Sequence, residues 1–231
     1  METFYNRNVS ISINELYLPK NKMVLAMDQK YQDILDGAIQ MFRQIGIRSV
    51  SMDDIAQELR ISKKTIYLYF KNKEELIIAM LKHKLESDML NYRAICCKEN
   101  ANAIDVLLMV SETVCKNTNE TNHSQVFELK KYYPEQFCEF WASKRETIYS
   151  QIKENIEQGI TQDLFRADLD VDLIAGLYVR RLEDFSTTKE DLLHNYTFEQ
   201  IFKTMFENHI RGISNANGIA YFEKKKKELN Y

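Results

Sequence analysis

The stretch that decides the fold is SMDDIAQELRISKKTIYLYFKNKEEL, residues 51–76. Three polar residues in it, Ser51, Ser62 and Asn72, each precede a segment with helical periodicity, as N-cap residues do. An acidic residue follows Ser51 and Asn72 three positions later, as in a capping box. Because only a few residues separate the first two segments, the pattern predicts a helix-turn-helix followed by a long helix.

Upstream of this stretch, apolar residues recur at spacings of three and four and therefore lie on one helical face. They are Tyr31, Ile34, Leu35, Ala38, Phe42 and Ile45. Gly46 follows directly and is suited to a left-handed cap. The sequence thus predicts a first helix from Tyr31 to Ile45, with the helix-turn-helix packed against it.

The rest of the chain also has helical periodicity. Further helices are predicted over residues 73–98, 101–116, 123–133, 135–161, 171–185 and 198–213. The 231 residues include only 6 glycines and 2 prolines, which favours long helices over loop-rich or all-β folds. The predicted class is all-α, and the basic run at 224–227 is expected to be a solvated tail.

Composition and processing signals indicate a soluble cytoplasmic protein. Apolar residues make up 45% of the chain and the formal net charge is −3. No stretch is long and apolar enough for a membrane span, and no signal-peptide pattern is present. Cys96, Cys97, Cys115 and Cys138 lack metal-ligand spacing, so we expect reduced thiols. Residues 1–26 lack periodicity and are expected to be a flexible extension.

Between residues 60 and 73 the chain is locally basic and has no acidic residue. The five cations are Arg60, Lys63, Lys64, Lys71 and Lys73. They coincide with the second helix of the helix-turn-helix, the one that enters a DNA major groove, where Thr65 and Tyr67 could reach bases or phosphates. Charge and periodicity alone leave open a solvated lysine face with packed aromatic residues.

Residues 34–76, and above all 51–76, resemble the DNA-binding domain of the tetracycline-repressor (TetR) family. The matching positions include Ala56, Thr65, Tyr67, Tyr69, Phe70, Lys71, Lys73 and Leu76. Arg60 departs from the pattern, since many members have glycine at that turn. The resemblance implies binding to double-stranded DNA. The predicted contact residues are Ser51, Lys63, Lys64, Thr65, Tyr67, Tyr69 and Lys73.

The resemblance also implies a homodimer with a DNA-binding domain at 27–76 and a ligand-binding and dimerisation domain at 77–231. Two apolar stripes could pair in a four-helix interface. They comprise Leu173, Ile174, Leu177 and Tyr178, and then Phe198, Ile201, Phe202, Met205, Phe206 and His209. Twofold symmetry predicts a pseudo-palindromic operator. The alternative is that both stripes belong to the core of a single chain.

Central aromatic residues are the candidate lining of a small-molecule effector pocket. They are Phe127, Tyr133, Phe137, Phe140, Trp141 and Tyr149. The alternative for this set is a filled aromatic core, and the identity of the effector does not follow from the resemblance.

The predicted function is a transcriptional regulator, a repressor released from DNA by its effector. The alternative is an effector-independent factor, either a chromosome-organising protein or an activator. We find no nucleophilic triad, paired catalytic carboxylates, phosphate-binding glycine loop or metal spacing, so we expect no enzyme activity, catalytic residue, cofactor or metal.

Overall fold

The computed structural model describes the backbone of residues 22–120, 123–187 and 195–229, which is helical apart from connecting turns and one isolated bridge between Phe165 and Ser214. The helices are α1 (Lys22–Ile45), α2 (Met52–Glu58), α3 (Lys63–Tyr69), α4 (Lys73–Cys96), α5 (Ala103–Glu120), α6 (His123–Tyr132), α7 (Pro134–Thr161), α8 (Val171–Thr187), α9 (Phe198–Ile213) and α10 (Ala216–Leu229). The all-α class predicted from the sequence is therefore confirmed. Over the described residues, no helix combines the length and apolarity that a membrane crossing requires.

The predicted caps of the helix-turn-helix are present. The Ser51 hydroxyl accepts the Asp54 N–H at the start of α2, and the Ser51 N–H is bound by the Asp54 carboxylate, which completes a capping box. Ser62 accepts the Thr65 N–H at the start of α3. Asn72 caps α4 in the same way. Local side-chain chemistry therefore sets the starts of all three helices.

Two turn residues adopt the left-handed conformation. Gly46 has φ +96° after α1, as predicted for a cap glycine. Arg60 has φ 53° in the turn between α2 and α3, at the position where the family pattern often has glycine. The turn thus keeps its left-handed geometry without glycine. This conformation is less favourable for arginine than for glycine, because the arginine Cβ crowds the backbone there.

The N-terminal end of the fold differs from the prediction. The first helix begins at Lys22 and not at Tyr31, so it starts inside the segment 1–26 that was expected to be a flexible extension. Residues 1–21 lie outside the described residues, and the expectation of a flexible extension stays a prediction for them.

The C-terminal end corrects a second expectation. Residues 216–229 form α10, a helix that was not predicted from the sequence, and the basic run at 224–227 lies on it. Phe222 is fully buried in the C-terminal core. The ammonium of Lys226 lies 2.6 Å from the Glu207 carboxylate on α9, and that of Lys225 lies 3.6 Å from Asp105 on α5. These lysines therefore sit on a docked helix and not on a solvated tail.

Helices α1 to α4 enclose an N-terminal core. Its fully buried members include Ile34, Phe42, Ile55, Ile66 and Leu76. Side chains from α6, from α7 and from the residue between them also pack against it: Leu129, Tyr133, Phe137 and Phe140. The C-terminal helices thus rest directly on the helix-turn-helix unit.

A second core lies among α5, α7, α8, α9 and α10. Ile104, Ile156, Phe165, Phe206 and Phe222 are buried in it. Gly218 lets α10 approach closely, because a Cβ there would lie 2.0 Å from the Leu164 carbonyl oxygen. The molecule therefore has one core for the helix-turn-helix and another for the C-terminal helices.

Candidate nucleic-acid interface

Helix α3 is fixed to the rest of the protein along one side only. Ile66 is fully buried and Phe70, the C-cap residue, is buried beside the ring of Tyr31 at 4.8 Å between centroids. Before the helix, the Ile61 N–H donates to the Ala56 carbonyl at 2.9 Å and closes the turn from α2. These contacts determine which face of α3 points away from the protein.

The outward face of α3 carries Lys64, Tyr67 and Leu68. Successive residues of an α-helix are separated by about 100°, so the direction opposite Ile66 lies between Lys64 and Leu68, about 20° from each. All three outward residues are exposed, with Leu68 at 73% and Tyr67 at 48%. Tyr67 and Thr65 lie about 80° to either side of that direction. Tyr67 is exposed, whereas Thr65 is half-buried and its hydroxyl is 2.7 Å from the Ser62 hydroxyl.

Two of the predicted DNA-contacting lysines are engaged within the protein. The Lys63 ammonium donates to the Asp53 carboxylate at 2.5 Å, and this hydrogen bond raises the pKa of Lys63. The Lys73 ammonium donates to the Arg48 carbonyl at 3.3 Å, above the ring of Phe42 at 5.9 Å. Burial lowers the pKa of Lys73. A phosphate would have to compete with these partners, and contact by either lysine stays a prediction.

Three other cations of the same segment are available to solvent. Arg60, Lys64 and Lys71 are exposed and make no ion pair among the residues that the structure describes. They lie in the turn before α3, on α3 itself and just after it, so two of them flank the ends of the helix and Lys64 belongs to its outward face. We call Arg60, Lys64 and Lys71 the basic rim of α3. This rim supplies the local positive charge that the sequence predicted in a chain of net charge −3.

Ser51 and Tyr69, the two remaining predicted contact residues, have structural partners. The Ser51 hydroxyl donates to the Asp54 carboxylate at 2.7 Å as part of the α2 cap. Tyr69 is half-buried against the N-terminal core. Neither residue belongs to the outward face of α3, and their contact with DNA also stays a prediction.

The start of α4 has the positive end of a helix dipole, where free amides could bind a phosphate. The Glu75 N–H there is bound by Asn72 Oδ1 at 2.8 Å, and the Glu75 carboxylate accepts the Lys71 N–H at 2.6 Å. Glu74 adds a second carboxylate in the same turn. Because these carboxylates already occupy the positive end of the helix dipole, this terminus is a poor phosphate site.

A carboxylate on α6 joins the C-terminal helices to the helix-turn-helix unit. Glu128 accepts the N–H of Ile47 at 2.5 Å and that of Arg48 at 3.2 Å, just after the left-handed Gly46. The Arg48 guanidinium donates to the Tyr132 hydroxyl at 2.6 Å and lies over its ring. This contact could not be predicted from the sequence, because nothing local marks Glu128 as a partner of residues about eighty positions away.

The six aromatic residues predicted to line one effector pocket are not brought together around one cavity. Tyr133, Phe137 and Phe140 pack on the N-terminal core, and the ring of Trp141 meets Phe137 and Phe140 edge-on at 6.0 Å. The remaining two lie elsewhere. Phe127 is exposed at 52%, and Tyr149 packs on the C-terminal core and donates to the Asp172 carboxylate at 2.7 Å.

A cleft of about 640 Å³ opens elsewhere, between the α4–α5 turn, α5, α9 and α10. Its apolar wall includes Leu108, Met109 and the buried Cys115, whose thiol pKa is raised by burial. Its charged lining comprises Lys98, Glu99, Asp105, Glu112, Lys116, Glu199, Lys203 and Lys225. A smaller groove of about 300 Å³ lies between α7 and α8. The cleft therefore combines apolar and charged surface at the end of α4.

Of the residues in the two predicted dimerisation stripes, some are buried in the C-terminal core and others are exposed at the surface. Tyr178, Phe202, Met205 and Phe206 are buried in the C-terminal core, as the alternative interpretation had it. Leu173 and Leu177 on α8 are exposed at 56% and 59%. On the same helix and on α9, Gly176 and Gly212 have no atom within 4 Å of an added Cβ. An apolar, sterically open surface thus remains on α8 and α9.

Comparison with known proteins agrees with this architecture. A model of bacterial regulatory proteins of the tetR family matches residues 34–80. The fatty acid metabolism regulator protein of Bacillus subtilis is 33% identical over 81 residues, which are 35% of this chain. The alignment spans 41% of the length of that relative.

Two further similarities cover most of the chain. The HTH-type transcriptional repressor KstR2 of Mycobacterium tuberculosis is 28% identical over 149 residues, 62% of this chain and 72% of the repressor. A solved transcriptional regulator from Cytophaga hutchinsonii has the same fold, with a TM-score of 0.69 at 17% identity over 80% of this chain and 99% of that one. Residues 34–80 therefore carry the DNA-binding domain of the tetracycline-repressor family of bacterial regulatory proteins, and the comparisons support a DNA-binding regulator of that kind.

Proposed function

We propose that this protein is a cytoplasmic homodimeric repressor that leaves a pseudo-palindromic operator when a small organic effector binds its C-terminal domain. The observation that carries the proposal is the outward face of α3. Lys64, Tyr67 and Leu68 are exposed there, while Ile66 on the opposite side is fixed in the N-terminal core. A rigid helix that presents polar, aromatic and apolar groups inside a basic rim fits the major groove.

Dimerisation is supported by the surface that α8 and α9 leave uncovered. Leu173 and Leu177 are one helical turn apart and both exposed, so a partner helix could bury them together. Gly176 and Gly212 would allow the helices of two chains to approach closely. A twofold axis through this surface would present two copies of α3 to one side of a duplex, which requires two half-sites related by symmetry.

We place the effector in the cleft beside α5, and not among the six predicted aromatic residues. Its volume of about 640 Å³ lies within the usual range of small-molecule sites. An amphipathic molecule would find apolar contacts at Leu108 and Met109 and charged groups around them. Lys98 to Ala101, which follow the end of α4, line the same cleft, so an occupant would act on that helix directly.

Two connections would carry the effect of the ligand to α3. Helix α4 runs from the cleft to Asn72, which follows α3 almost immediately. The second connection is Glu128 on α6, which holds the turn at Ile47 and Arg48. The effector changes operator affinity only by its different affinity for the two arrangements of these elements.

Fluorescence anisotropy tests the DNA-binding half of the proposal. The purified protein is titrated onto the duplex upstream of its own gene and onto a scrambled duplex, at two salt concentrations. We expect salt-sensitive binding with a clear preference for the native duplex. Equal affinity for the two duplexes would move the operator elsewhere and favour an effector-independent, architectural role.

A release screen on the same complex tests the effector half. Small organic molecules are added to the protein–operator complex, and a true effector lowers the anisotropy at saturable concentrations. In Met109→Trp the indole would fill the cleft, so this variant should bind the operator normally and fail to respond. A variant that still responds with wild-type sensitivity would exclude the cleft as the effector site.

A further inference from the structure

We infer that Leu68 is an apolar specificity determinant that contacts the C5-methyl group of a thymine in the major groove. The inference rests on the proposed binding of α3 to operator DNA and names one base contact within it. Leu68 was not among the contact residues predicted from the sequence.

Leu68 has no structural role that the fold requires. Its 73% exposure is the highest among the large apolar side chains of the described residues, and it does not belong to the buried cluster formed by α1 to α4. Burying a leucine side chain removes apolar surface from water and is favourable, so an exposed leucine on a seven-residue helix forgoes that gain. A partner outside the chain that covers Leu68 would recover it.

The charges around Leu68 indicate which occupant covers it. The basic rim of α3, Arg60, Lys64 and Lys71, lies on the outward face and beyond both ends of the helix, and is free of ion pairs among the described residues. A positively charged rim disfavours an apolar protein partner and attracts phosphate. Because Lys64 lies one turn before Leu68 on the same face, the two side chains reach neighbouring base pairs when the rim contacts the backbone.

Within the major groove, thymine presents the apolar group that suits a leucine. Guanine, cytosine and adenine edges display hydrogen-bonding groups, whereas the C5-methyl of thymine projects into the groove beside the O4 acceptor. A leucine can make no hydrogen bond, so the methyl is the group it distinguishes. Lys64 can supply the neighbouring polar contact, either to guanine acceptors or to a phosphate.

The experiment removes the methyl group and leaves the base pair intact. Operator duplexes are synthesised with deoxyuridine in place of thymidine, one symmetric pair of positions at a time, and titrated with wild-type protein, Leu68→Ala and Lys64→Ala. For wild type, one position should weaken binding about fourfold per half-site, the equivalent of one methyl group left in water. Leu68→Ala should bind the thymine and uracil duplexes equally, while Lys64→Ala should keep the fourfold difference.

The outcomes separate this inference from the proposed function. Wild-type protein that prefers the operator over a scrambled duplex, and yet is indifferent to every uracil substitution, would overturn the role of Leu68 alone. A Leu68→Ala variant that retains the wild-type sensitivity to the methyl group would overturn it too. Wild-type protein without any preference for the operator would overturn both the inference and the proposed function. Leu68 is exposed, so the alanine variant is expected to fold, and circular dichroism checks this.

Discussion

The carboxylate of Glu128 is predicted to stabilise the junction between the two cores. Glu128→Ala removes the acceptor for the backbone N–H groups of Ile47 and Arg48, at 2.5 and 3.2 Å. The Ile47 residue is fully buried, so its backbone N–H cannot readily form a replacement hydrogen bond with water. Arg48 is exposed, so its backbone N–H can form one. Leaving one such donor unpaired costs about 1–3 kcal/mol, and we expect a loss of about 2 kcal/mol in the free energy of unfolding.

Two variants make this prediction specific. Glu128→Gln keeps one carbonyl acceptor and loses the charge, so it should cost about half as much, close to 1 kcal/mol. Glu139→Ala removes an exposed carboxylate from α7 and should change stability by less than about 0.5 kcal/mol. The order of the three variants distinguishes a lost hydrogen-bond acceptor from a general effect of charge.

Urea unfolding followed by circular dichroism at 222 nm measures the differences, with the slope of each curve compared to confirm that the transitions are alike. If Glu128→Ala unfolds within about 0.5 kcal/mol of wild type, the carboxylate does not hold the turn, and the second connection from α6 to the helix-turn-helix is refuted.

The other predictions concern single positions in both cores and in the interface. Burial lowers the pKa of His209 to about 4, below its ordinary 6.5, so the unfolded chain binds more protons between these values and stability falls as the pH drops through that range. In urea unfolding, the free energy of unfolding of the wild type should fall by about 2 kcal/mol between pH 7 and pH 5. A His209→Phe variant whose free energy of unfolding falls by the same amount would exclude His209 as the cause. Arg60→Gly should gain about 0.5–1 kcal/mol in urea unfolding, because glycine relieves the left-handed strain at φ 53°, and should weaken binding to any duplex by removing one rim cation. Gly218→Ala should cost about 1–3 kcal/mol, since its Cβ would lie 2.0 Å from the Leu164 carbonyl oxygen; unchanged thermal stability would mean that α10 is not docked as described. Tyr67→Ala should weaken operator binding by about 1–3 kcal/mol in an anisotropy titration without changing the unfolding curve, and equal affinity would remove Tyr67 from the interface.

Much of the helix-turn-helix could be predicted because its determinants are close together in the chain. The caps at Ser51, Ser62 and Asn72 each involve a partner three residues away, so their hydrogen bonds can be inferred from spacing alone. The bounds of α9, Phe198 to Ile213, were predicted from its strong apolar stripe, and the structure shows that Thr197 caps its first turn.

Helix α10 could not be predicted in this way. Its lysine run dominates the composition of the segment, and its apolar contribution is the buried Phe222 with a few half-buried neighbours. Docking depends on the fit of Gly218 against the Leu164 carbonyl, which belongs to the turn after α7. The residues that form this docking surface lie outside the segment, so the sequence of the segment does not indicate that it docks.

The sequence by itself determined the all-helical class and the helix-turn-helix, whose second helix begins at Lys63 within a local run of cations, because capping, periodicity and charge runs are short-range properties. Only the tertiary structure decided which side chains of that region are free. It pairs Lys63 with Asp53 and turns Lys73 towards Arg48, and it leaves Leu68 outermost. The physical reason is that charge and exposure depend on neighbours brought together by packing, and packing contacts link residues far apart in the chain.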